Sequence, residues 1–151
     1  MAAEEQLYSS FANWSWAARV AAGRPYRNVD ALLAAAESAW SDLKPGDWLQ
    51  AFAAHPRIGE GGGRAPDTSE REQAGVRKAS ARTLEALAAE NREYETRFGH
   101  VFLIAARGRS AEEILHELRR RMGNDPYAEL ETAAAEQRKI TRMRLIEMVS
   151  G

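Results

Sequence analysis

Apolar residues recur at helical spacing along most of this chain, and that period restricts it to helices packed on helices. Over roughly residues 29–43, Leu32, Ala36, Trp40 and Leu43 fall on one face. Lys44-Pro45-Gly46 breaks that helix, and Asp47 can cap a short one bearing Trp48, Leu49 and Phe52. The short helix must stop near His55, because Pro56 disfavours helical backbone in the residue before it. Residues 56–68 contain four Gly and two Pro and read as a mobile loop. A long helix is expected from Ser69 towards Arg97, with Leu84, Leu87, Tyr94 and Phe98 along one stripe. Asn91 lies on the same stripe, so it should be at least partly buried and must find partners. Gly99 ends that helix. Val101–Ala106 is a continuous apolar run, too short for its period to decide between a buried strand-like segment and a helix turn. Ser110 caps a further helix with Ile114, Leu115, Leu118 and Met122, and Asn124-Asp125-Pro126 starts a last one reaching about residue 149. With no internal repeat, linker or domain boundary, the expected fold is all-α, a single compact domain over residues 1–151 with about seven or eight helices.

Composition narrows the function classes. The chain has 151 residues, is 44% apolar and 28% charged, and carries a net charge of −1. It is therefore long enough for a substantial core and lacks the basic footprint of a nucleic-acid binder. Without cysteine there is no disulfide scaffold and no thiolate metal site. No run approaches the ~20 apolar residues that a membrane span needs. The start lacks a basic and then apolar leader, and the Val-Ser-Gly end is not a peroxisomal address. Together these features predict a cytoplasmic protein with no nucleic-acid or membrane partner. A dinucleotide fingerprint and a phosphate loop are both missing, so acid/base chemistry is the chemistry left for an enzyme.

The titratable groups concentrate around one loop. His55-Pro56-Arg57-Ile58-Gly59-Glu60 precedes it, and Ser69-x-x-Glu72-Gln73 follows it. At a helix C-terminus the unpaired carbonyls and macrodipole favour a cation by ~0.3–1 kcal/mol, which suits His55 either as a general acid or merely as a cap. Ser69-Glu70-Arg71-Glu72 matches a capping box, as does Ser110-Ala111-Glu112-Glu113. Free amides at a helix start also hold anionic or carbonyl-rich ligands, so the first box has a second reading. Arg144 borders the apolar face of the last helix, where it either snorkels or clamps a carboxylate or ureido oxygen. Arg119-Arg120-Arg121 reads as a solvated helix end. His100 and His116 have no metal-ligand spacing with each other or with His55, so no metal site is expected. Trp14, Trp16, Trp40 and Trp48 read as core and interface anchors.

Taken together, the blocks resemble the 2-oxo-4-hydroxy-4-carboxy-5-ureidoimidazoline (OHCU) decarboxylase family of urate catabolism, over nearly the whole chain. They run Trp16-Ala17 with Arg24-Pro25, Asp47-Trp48 into His55–Glu60, and Ser69-x-x-Glu72-Gln73-Ala74-Gly75. Asn91-x-x-Tyr94-x-x-x-Phe98-Gly99, Phe102-Leu103-Ile104 with Arg107-Gly108, and Ile114-Leu115 with Arg121 and Asn124 follow. Lys139-Ile140 and Arg144-Leu145 close the series. The departures are Val101, where many members have proline, and a short, Gly-rich 60–67 loop.

The resemblance implies an all-α homodimer that decarboxylates OHCU to (S)-allantoin without a cofactor. It also implies that His55 is the central catalytic residue and Glu72 its partner. Substrate contacts are implied for Pro56, for Ser69, Glu70, Arg71, Glu72 and Gln73, for main chain of Ile104, Ala105, Ala106, Arg107 and Gly108, and for Arg144. Two other readings stand beside it: an inactive helical interaction module of the same fold, and an acid/base enzyme on a related ureido substrate.

Overall fold

A computed structural model describes residues 3–58, 72–74 and 80–150. Among these, seven helices and no strand occur, as the helical period predicts. They are α1 (Ala3–Ser10), α2 (Trp14–Ala22), α3 (Val29–Ser41), α4 (Pro45–Phe52), α5 (Ala81–Phe98), α6 (Ala111–Arg121) and α7 (Pro126–Ser150). The chain divides into two compact units, Met1–Ala51 with Arg138–Gly151, and Phe52–Gln137.

In the first unit α1 packs on α2 and α2 on α3. Asn13 and Asn28 take extended backbone, and their side chains accept the Trp16 and Ala31 amides, which fixes where α2 and α3 begin. Alanines at Ala17, Ala36 and Ala39 are buried and let these helices approach closely around aromatic rings. Phe11 meets Trp16 edge-on at 5.3 Å and Trp40 at 5.0 Å, and Trp40 stacks on Trp48 at 6.0 Å. The Trp16 indole donates to the Ala36 carbonyl (3.1 Å). Trp14 differs from the expected core role: it is 54% exposed and stacks on Tyr8 at 4.0 Å. Pro45 opens α4 rather than merely breaking α3, since the first helical turn needs no proline N–H. Asp47 caps from inside that turn, accepting the Lys44 amide at 3.0 Å.

The second unit buries Leu87 and Tyr94 of α5 against Phe102, Ile104 and Ala106 and against Ile114, Leu115 and Leu118 of α6. Two expectations need correction here. The helix anticipated from Ser69 is not continuous, because α5 starts only at Ala81. Ser80 takes extended backbone (φ −65°, ψ 155°) and its hydroxyl accepts the Thr83 amide at 3.2 Å. A serine that satisfies an orphan amide in this way stabilises a helix start rather than a helix interior. Arg119–Arg121 is not uniformly a solvated end either. Arg119 and Arg120 pair at the surface with Glu90 and Glu117, but Arg121 is 0% exposed. Position 121 lies three residues beyond buried Leu118 and so shares its inward face.

Buried Arg121 is fully engaged. It pairs with the equally buried Glu129 of α7 through two N–H groups (2.8 and 2.5 Å) and donates to the Leu103 carbonyl (2.8 Å). Its guanidinium also lies over the Phe102 ring at 4.6 Å. Glu129 additionally accepts from the Tyr94 hydroxyl and from Asn124 (3.0 Å). Burial, then the bond to Glu129, pushes the Tyr94 hydroxyl far above its ordinary range, which keeps it a donor. The apolar run 101–106 has no regular secondary structure and pairs with no strand among the described residues, so side chains must satisfy its backbone. Arg121 serves the Leu103 carbonyl, and Glu136 accepts the Ala105 amide at 3.0 Å. A turn with Gly108 at φ +79° and the reciprocal Ser110–Glu113 capping box (both bonds 3.1 Å) then open α6.

Removing one member of a buried ion pair leaves an uncompensated charge, at a cost of about 3–5 kcal/mol. Arg121→Met is expected to lose stability of that size in urea denaturation, and adding Glu129→Leu to recover part of it. A single variant as stable as the parent contradicts the role given to this pair.

Candidate active site

The His55-Pro56-Arg57-Ile58 segment is held by side chains on two helices. Helix α4 ends at Phe52, and the His55 amide closes a turn onto the Phe52 carbonyl (3.0 Å). His55 therefore follows a helix C-terminus, with Pro56 restricting its backbone to extended forms. From the half-buried ring, Nε2 lies 2.7 Å from Oε1 of Gln137 on α7. An amide oxygen only accepts, so Nε2 carries hydrogen in this arrangement. Arg57 makes a forked pair with Glu95 of α5 (2.7 and 3.1 Å). Ile58 is buried in the core, and its carbonyl accepts from Asn91 Nδ2 at 3.3 Å.

Asn91 is 0% exposed, as its place on the apolar stripe of α5 requires. Its Oδ1 has no hydrogen-bond partner among the described residues, which marks a polar atom beside this segment whose desolvation is uncompensated there. Glu72 is helical and buried, and Gln73 is half-buried in the turn after it. Ser69, Glu70 and Arg71, and with them the first capping box and the Gly-rich loop after Ile58, lie outside the described residues.

Across the 104–108 stretch, Ile104 and Ala106 are buried, Ala105 is half-buried, and Arg107 and Gly108 form an exposed turn. The Ala105 amide is taken by Glu136, and its carbonyl accepts from Arg109 Nε at 3.2 Å. Arg144 is half-buried on α7, in the part belonging to the first unit, whereas Arg142 is exposed and lines a small cleft there with Trp16, Trp40 and Leu145. His100 packs among Phe52, Tyr94 and Phe98, with Nδ1 at 3.1 Å from the Val101 carbonyl. Among the described residues, no three His, Asp or Glu side chains cluster as metal ligands would.

Sequence reasoning missed Glu136 and Gln137, both buried on α7. The signal was present: Ala133, Gln137, Ile140 and Thr141 are buried at helical spacing, so a glutamine interrupts an otherwise inward face. That is the pattern that singled out Asn91.

What this arrangement offers chemically is one imidazole held at a ring nitrogen by Gln137, whose neighbour Glu136 holds the Ala105 amide. Comparison with known proteins bears on its use. The model of the OHCU decarboxylase family matches residues 1–146. The uric acid degradation bifunctional protein TTL of Arabidopsis thaliana is 34% identical over 141 residues, covering 89% of this chain but 44% of that protein. This chain therefore spans less than half of that relative's length. The 2-oxo-4-hydroxy-4-carboxy-5-ureidoimidazoline decarboxylase of Amia calva is 32% identical over 138 residues, 88% of this chain and 79% of that protein. A crystal structure of OHCU decarboxylase in the presence of (S)-allantoin matches with a TM-score of 0.85 at 33% identity, over 97% of this chain and 99% of the other. By sequence blocks, by family model and by fold, the chain belongs to the OHCU decarboxylase family.

Proposed function

We propose that this chain removes CO2 from OHCU and yields (S)-allantoin, with His55 as the proton-transferring group. The observation that carries the reading is the pinned His55–Ile58 segment, which presents one oriented imidazole in a chain matching this family throughout. The reaction makes a modest demand on a protein. As the C–CO2 bond breaks, its electron pair forms a double bond between the two ring carbons. The pair of the adjacent ring C=N moves onto nitrogen, which takes a proton. The resulting enol then becomes a carbonyl, releasing its hydroxyl proton as the ureido-bearing carbon gains one. Because the substrate carries its own electron sink, the reaction calls on no cofactor. The protein's part is to orient the carboxylate, stabilise developing charge and protonate one face.

His55 fits the last task, with Glu72 as its partner. Pro56, Ser69–Gln73, and main chain within Ile104–Gly108 are the proposed substrate contacts, and Arg144 is the proposed cation for substrate oxygens. The resemblance supports this set, and the half-buried place of Arg144 favours it over exposed Arg142. We place the whole chain in one cytoplasmic, homodimeric domain. No described helix is long and apolar enough to cross a membrane. Exposed Val29, Met148 and Val149 border an apolar cavity of about 350 Å³ in the first unit, surface that self-association would cover.

Positioned proton transfer contributes about 10²–10⁴-fold to rate, so His55→Ala is expected to lose that much of the accelerated decay of OHCU formed in situ from urate. Its circular dichroism and thermal unfolding should stay those of the parent. Normal turnover by a folded His55→Ala protein defeats the assignment. A charged hydrogen bond is worth about 1.5–3 kcal/mol, so Arg144→Ala should raise KM by roughly 10–100-fold while Arg142→Ala changes it little. The reverse pattern would move the substrate cation to Arg142.

A further inference from the structure

From the buried contact between α7 and the imidazole, we infer that Gln137 is a positioning residue which fixes the orientation and the neutral tautomer of the His55 ring by accepting from Nε2. The inference deepens the proposed decarboxylation and rests on it for its kinetic part.

Three observations carry it. First, the contact is short, 2.7 Å, and joins residues far apart in sequence, so packing rather than chain proximity places them together. Second, Gln137 is 0% exposed while His55 is half-buried. A buried amide has few orientations open to it, because each of its polar atoms must keep a partner. Third, its neighbour on α7, Glu136, is also buried and holds the Ala105 amide. One turn of a long helix thus sets both the imidazole and the main chain of the 104–108 stretch, the two parts of the site whose spacing a substrate would sense.

The chemistry follows from the inventory of an imidazole. Its two nitrogens are inequivalent, and the partner of one decides the protonation of the other. With Gln137 Oε1 accepting at Nε2, the neutral ring keeps its hydrogen there and its lone pair at Nδ1. Cycling between the neutral and cationic forms then moves a proton at Nδ1 alone. Such orienting partners typically change activity by about 10–100-fold when removed, without being touched by substrate.

The test uses the full chain labelled with 15N and long-range 1H–15N spectra of its three histidines, His55 being assigned with His55→Gln. The parent should show neutral His55 as the Nε2–H tautomer. Gln137→Leu should turn that signal into a tautomer mixture and lower kcat about 10–100-fold, with KM within about twofold. Gln137→Glu keeps an accepting oxygen at the same reach, so it should retain the Nε2–H signature and recover most of kcat. If the leucine variant fails to fold, Gln137→Met provides the same comparison. The inference is overturned by an Nδ1–H tautomer in the parent, or by a folded Leu or Met variant with parental spectrum and kcat. It also falls if the glutamate variant is as slow as the leucine one. A folded parent with no decarboxylase activity would end the proposed function instead, and the tautomer spectra would still decide whether Gln137 fixes the ring.

Discussion

A guanidinium and a carboxylate sealed from water at Arg121 and Glu129 impose the constraint on which the second unit depends. Each ion is costly to bury alone, so the fold must keep them together and saturate what remains of their hydrogen-bonding capacity. Tyr94 from α5, Asn124 from the α6–α7 connection and the Leu103 carbonyl supply that saturation. The result fixes three helices and one irregular segment with respect to a single point. It also explains how an apolar run of strand-like composition can lie buried outside any sheet, since Arg121 and Glu136 serve backbone groups that a ladder would otherwise serve.

On that frame the site is assembled by side chains that reach a short connection, not by the connection itself. His55, Arg57 and Ile58 each have a different anchor: Gln137, Glu95 and Asn91. The first anchor comes from α7 and the other two from α5, so the segment's position is determined by rigid elements even though it carries no regular structure. This suits a reaction whose electrons are accommodated within the substrate. In the proposed reaction, rate and handedness would depend on where a proton donor stands relative to one face of a flat ring, the part proposed for the held His55 imidazole.

Much of this was legible in the sequence because the relevant signals are local. The apolar period located α3 and α6, and the Ser110–Glu113 box and Asn124-Asp125-Pro126 located the starts of α6 and α7. Asn91 on an apolar stripe announced a buried amide. What was not legible depends on partners distant in the chain. Arg121 looked like one of three solvated arginines until a partner eight residues on proved to be buried with it. Ser80 was overlooked as a helix start because it lacks the glutamate that completes a capping box. Gln137 carries no motif, and only its contact with His55, 82 residues away, gives it meaning. The Ser69–Arg71 part of the candidate site is known from sequence pattern alone.

The central claim is that this protein both accelerates the loss of CO2 and chooses the face that is protonated. The most direct measurement is circular dichroism of the allantoin formed when urate oxidase and hydroxyisourate hydrolase generate the substrate in the presence of this protein. The account predicts faster disappearance of the intermediate together with a growing (S)-allantoin signal. Unchanged decay to racemic allantoin, with a folded sample, would contradict it.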